Sequence, residues 1–136
     1  MTQTEDGLFM PLNELEVQLL AAKRGQTAPR GFITYMFASE VWMLSSTEQD
    51  SGQIDASKLL YLSDDQQPTR LAIFSAPERS LPWQESFPSY TSLVKLNFKD
   101  VLRLTDKDCG IMLNPGQAAG MSIPPDGILE LRQEIN

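Results

Sequence analysis

Few residues in this chain combine the type and the spacing that chemistry needs. Ser92, Leu93, Val94 and Lys95 spell S-x-x-K, which in serine acyl-transferases sets the Lys one helical turn from the nucleophile. Here the surrounding residues predict a strand, and the companion S-D-N and K-T-G sequences do not occur, so the pattern reads as coincidence. Asp106 and Asp108 flank Lys107. Paired carboxylates can act as acid and base or hold a hard cation, but no further ligand spacing follows, and a solvated turn is the simpler reading. Asp64 and Asp65 are discounted in the same way as chemical groups. Cys109 is the sole cysteine and precedes an apolar run, as a small core residue does.

The missing residue type says more. With no histidine in 136 residues, a His general base, a Ser-His-Asp triad and a Cys-His pair are impossible, as are zinc sites built on His or on several Cys. Neither G-x-x-x-x-G-K-[ST] nor G-x-G-x-x-G occurs, so the common phosphate-cradling loops are absent from the sequence. The expectation is a protein that is not an enzyme, with no catalytic residues, no metal and no cofactor.

Charge then narrows the partners. Eighteen acidic against eleven basic residues give a net charge of -7, a field that repels a phosphate backbone, so nucleic acid is not expected. No apolar run approaches the roughly 20 residues that span a bilayer, so no membrane is expected either. The start MTQTEDGLFM lacks a secretory pattern, and with a lone cysteine the chain fits a reducing cytoplasm. A basic site on another protein is what this field steers in. Between Glu40 and Asp65 the acids Glu40, Glu48, Asp50, Asp55, Asp64 and Asp65 face only Lys58. Glu48, Asp50, Asp55, Asp64 and Asp65, on two predicted loops, are the candidate partner-binding residues. Trp83 joins them, because an aromatic in a Pro-rich segment either plugs the edge of a core or anchors a partner.

These side chains need a scaffold, and the length suits one domain over 1–136, with 1–11 expected to be flexible. Asn13 can cap a first helix over 12–25, with Glu16 at the capping-box position, Leu12 and Val17 at staple spacing, and Gly25 ending it. Pro29 starts a second helix, 31–38, turning Phe32, Tyr35 and Met36 inward. Residues 40–45 form a covered strand containing Trp42, and 46–56 an exposed loop. Residues 59–62 and 71–75 pair as an antiparallel hairpin, joined by 63–70 with Pro68 as a breaker. A helical turn within 77–85 leads to an irregular crossing. Residues 93–96 form a strand, Asn97 caps a helix over 98–105, and 110–113 is another buried strand. Asn114-Pro115-Gly116 predicts a type II turn. A strand over 121–123 and a helix opened by Pro125, with Ile128, Leu129 and Leu131 as its apolar face, complete an α+β fold: a mixed, mainly antiparallel small sheet flanked by short helices.

Two stretches carry a family resemblance. Leu71-Ala72-Ile73-Phe74-Ser75-Ala76-Pro77-Glu78 resembles the apolar strand, hydroxyl residues and following acid of the SseB family, named for enhanced serine sensitivity. Gly110-Ile111-Met112-Leu113-Asn114-Pro115-Gly116, with Gly120, Ile123 and Pro124, is similar to that family's turn, return strand and final helix. The resemblance implies a mixed α/β domain of the bacterial cytoplasm without established catalytic residues, sometimes encoded beside toxins as an immunity partner. Two functions follow as expectations: a protein-binding module, most concretely an immunity protein that blocks a toxin with a basic cleft, or a regulatory domain that senses a small metabolite of amino-acid metabolism.

Overall fold

The computed structural model of the chain describes residues 10–49, 53–64 and 67–135, so the flexibility expected of 1–11 lies, as far as residue 9, outside the described residues. In chain order come helices α1 (Glu14–Lys23) and α2 (Pro29–Phe37), strand β1 (Glu40–Ser45), a 3-10 turn (Ala56–Lys58), and strands β2 (Tyr61–Asp64) and β3 (Gln67–Ile73). A second 3-10 turn (Pro77–Ser80) runs into helix α3 (Leu81–Ser86). After it come β4 (Ser92–Asn97), α4 (Phe98–Leu104), β5 (Gly110–Leu113), β6 (Met121–Ile123) and α5 (Pro125–Ile135). The fold is α+β, with the strands divided between two sheets.

One sheet is the antiparallel pair β1-β4, and the other has the order β2-β3-β5-β6. Among the described residues only β3 and β5 run parallel. The bridges Trp42–Phe74 and Ser45–Leu59 tie the sheets together. The apolar runs that read as covered strands have alternating destinations, as side chains two apart on a strand share a face. Val41, Met43, Leu71 and Ile73 enter the main core beneath the helices. Leu44, Leu60, Ala72 and Phe74 form a second, smaller cluster, against which Trp42, Trp83 and Tyr90 pack.

Local signals set most helix ends. The Asn13 side chain accepts from Glu16 N–H at 3.0 Å, and Gly25 at φ 75° lets the chain leave α1. Asn97 accepts from Lys99 N–H at 2.9 Å to start α4, which buries Phe98, Val101 and Leu102. The type II turn forms: Gln117 N–H donates to Asn114 O at 3.1 Å, and Gly116 takes φ 77°.

Several expectations are corrected. Leu12 and Val17 stay exposed and fasten nothing. Tyr35 and Leu129 are exposed as well, each lying at the rim of a helix stripe that Phe32 with Met36, or Ile128 with Leu131, already fills. Pro68 does not break the hairpin; β3 starts at Gln67 and runs through it. The β2-β3 register shifts between the Leu62–Arg70 and Asp64–Gln67 pairs, and Pro68 falls within that irregularity, where a strand tolerates proline. Trp83 lies within α3, not on an irregular crossing.

The return from β5 to β6 is tight. A Cβ added at Gly120 would lie 2.5 Å from Leu113 O and 3.0 Å from Asn114 O. Gly120→Ala is expected to destabilise the fold by about 1–3 kcal/mol, the usual cost of overpacking, read as a lower denaturant midpoint with unchanged slope. An unchanged midpoint would show that the turn relaxes freely.

Candidate functional site

At the carboxyl ends of the parallel strands β3 and β5 lies a buried polar cluster that the sequence reading did not foresee as a unit. Glu16 has no exposed surface. Its carboxylate accepts from Leu12 N–H (2.8 Å), Ser75 Oγ (2.5 Å), Arg79 Nε (3.0 Å) and Arg79 Nη2 (2.8 Å). Arg79 also donates to Met10 O at 2.7 Å. Ser75 is held from its other side: its N–H donates to Asn114 Oδ1 (2.9 Å), and Asn114 Nδ2 donates to its Oγ (2.8 Å). Asn13 Nδ2 donates to Ser75 O at 2.8 Å. Burial pushes the Glu16 carboxyl up, but the hydrogen bonds from Arg79, Ser75 and Leu12 and the guanidinium charge outweigh it and hold the carboxyl below its usual range. Glu16 thus departs from the capping-box expectation. It binds the N–H before the cap residue, not that of Asn13, because the guanidinium fixes where its oxygens lie.

This cluster seats the candidate aromatic. Trp83 Nε1–H donates to Pro115 O at 2.7 Å, and the indole lies 3.5 Å from where a Cβ on Gly116 would stand. Phe87 stacks on it at 6.0 Å, and Tyr90 meets Phe87 edge-on. Trp83 is half-buried and covers the smaller cluster, while Leu81 and Phe87 beside it remain exposed.

The acidic candidates lie elsewhere. Glu48 and Asp55 are exposed and belong to one loop, pinned by Gln49. Gln49 Nε2 donates to Ser45 Oγ (2.9 Å) and Asp55 O (3.1 Å), and its Oε1 accepts from Asp55 N–H. Asp55 caps the following 3-10 turn, and the Ser57 hydroxyl and N–H hold its carboxyl below the usual range. Asp64 closes β2 opposite Gln67, five residues beyond Leu59, or roughly 16 Å at the rise of a strand. Asp50 and Asp65 lie outside the described residues. Glu48 and Gln49 join Thr91, Ser92 and Leu93 around an open depression of about 620 Å³ at one end of β1-β4.

The remaining chemical candidates are dispersed. Ser92 and Lys95 lie three apart on β4, which puts them on opposite faces. Asp106 and Asp108 are exposed near Tyr61 and Cys109, around a depression of about 380 Å³. Burial raises the Cys109 thiol, and the nearby Asp106 charge adds to that. Burial likewise pushes the Tyr61 hydroxyl up to about 12. Among the described residues no three His, Cys, Asp or Glu side chains cluster as metal ligands do, and no helix is long and apolar enough to cross a membrane.

Residues 15–130 match the description of the SseB protein N-terminal domain, most of the chain. No curated protein and no solved structure gives a match.

Arg79→Met removes the countercharge from a fully buried carboxylate and is expected to cost about 3–5 kcal/mol in chemical denaturation. The Glu16 pKa is lower folded than unfolded, so its contribution is present above the unfolded carboxylate value and is lost as pH falls through the folded one. Glu16→Gln should therefore be less stable at neutral pH and lose less stability on acidification than the parent. Parallel stability–pH curves would contradict this.

Proposed function

The chain belongs to the SseB N-terminal domain family, and from that premise we propose that it is a non-enzymatic protein-binding module of the cytoplasm, most concretely an immunity protein that docks on a bacterial toxin with a basic cleft. The observation that carries this reading is the Gln49 side chain, which ties the Ser45 hydroxyl to the backbone at Asp55 and so holds the exposed Glu48 and Asp55 on one surface. Charges whose backbone is already held lose little entropy on docking, and their field speeds encounter with a basic surface. The overall charge of -7 acts in the same direction.

Two further features favour binding over turnover. The sequence holds no histidine, and Cys109 is buried with its thiol pushed toward the protonated form. The metabolite-sensing alternative is less well supported. Small-molecule sites are lined mostly by apolar side chains, whereas the 620 Å³ depression has Leu93 as its one large apolar side chain beside Glu48, Gln49, Thr91 and Ser92.

Changing Glu48, Asp50, Asp55, Asp64 and Asp65 together to their amides should slow association with a toxin encoded beside this chain by roughly tenfold or more at low salt, and should flatten the salt dependence. Stopped-flow association rates measure both effects. An unchanged rate at low salt would remove the steering account.

A further inference from the structure

β4 is the outer strand of its sheet, with β1 on one side and, among the described residues, no hydrogen-bonded neighbour on the other. The backbone groups that face this open side follow from the bonds of β1. Trp42 N–H donates to Phe74 O at 2.9 Å, Phe74 N–H donates to Trp42 O at 2.8 Å, and Leu60 N–H donates to Leu44 O at 3.0 Å. Trp42 and Leu44 therefore turn their backbone groups away from β4. Their partners in the register are Lys95 and Leu93, so these two pairs are the non-hydrogen-bonded ones of the antiparallel ladder. Leu93 and Lys95 consequently direct their own N–H and C=O groups outward, in line along the open edge.

Exposed edges are ordinarily blunted by charge, Lys above all. Here the Lys95 ammonium lies 3.9 Å from the Glu40 carboxylate on β1, both side chains half-exposed. Leu93 leaves 41% of its surface exposed at the same edge. Next to it Glu48 lines the 620 Å³ depression, and among the described residues it forms no ion pair. An open backbone ladder, an exposed leucine and a carboxylate at one end together specify the occupant chemically: an extended segment carrying an apolar side chain and a Lys or Arg. A second copy of this chain fits less well, since two molecules of charge -7 repel each other.

We propose that a protein partner docks by adding an extended, basic segment as a strand along β4, bonded at the Leu93 and Lys95 backbone and paired through a Lys or Arg to Glu48. This deepens the protein-binding reading and rests on it.

The probe is an acetylated, amidated heptapeptide of alternating Lys and Val, titrated into the 15N-labelled chain. Its Glu-Val counterpart and a Lys-Val version N-methylated along one edge serve as comparisons. The Leu93 and Lys95 amides should shift and saturate with the Lys-Val peptide, which should bind about tenfold or more tightly than either comparison peptide. Lys95→Pro deletes an N–H that β1 does not use, a place where an edge strand tolerates proline. It should keep the remaining amide spectrum and weaken binding about tenfold. Glu48→Gln should weaken it several-fold and flatten its salt dependence.

No binding, saturation that leaves both amides unmoved, or equal binding of the edge-methylated peptide would overturn the proposal. So would a concentration-dependent dimer that Lys95→Pro disrupts, which would assign the edge to a second copy. A toxin bound by Lys95→Pro as tightly as by the parent would remove strand addition and leave protein binding standing, whereas a toxin bound by neither would remove both.

Discussion

The fold is organised around one buried carboxylate. Glu16, on the first helix, has no contact with water and is held by the Arg79 guanidinium, the Ser75 hydroxyl and the Leu12 N–H. Removing a carboxylate from water costs several kcal/mol, so the pair is tolerable only because each oxygen meets more than one donor. In meeting that requirement the cluster joins places far apart in the chain. α1, the end of β3 and the turn that opens α3 meet at Glu16, and through Asn114 so does the turn after β5.

What is held there determines what is left open. Fixing Asn114 fixes Pro115, whose carbonyl takes the Trp83 indole N–H, so α3 and its aromatics cover the second face of the strands. At that end Trp83 is engaged by contacts within the chain, while Leu81 and Phe87 stay exposed. At β4 the outer edge is unpaired among the described residues, and Glu48 lies exposed beside it. The molecule thus has one end held by its own polar bonds and, among the described residues, one strand edge left open.

Much of the framework was legible in the sequence because its causes are local. Asn13 and Asn97 cap helices with their own side chains, Gly116 takes the positive φ that its turn requires, and the apolar runs at 40–45 and 110–113 are strands with the expected bounds. What escaped was non-local. Glu16 has a sufficient local explanation as a capping residue, and nothing nearby points to Arg79, 63 positions later. Ser75 and Asn114 stood in the two stretches that carry the family resemblance, yet only the parallel pairing of β3 with β5 brings them together. Pro68 looked like a breaker because a sequence does not reveal where the register of a strand pair shifts. The site was legible only in part, for the same reason. The acidic residues could be named, but strand order decides which edge stays free and separates Asp64 from Glu48 and Asp55.

Hydrogen–deuterium exchange, comparing the free chain with the complex it is proposed to form with a protein partner, tests the central claim most directly. Docking on the open edge predicts added protection over 92–97 and 46–58, and none at Ser75, Arg79 or Asn114. Protection gained only around 75–87 and 114–120, with β4 exchanging as in the free chain, would contradict it.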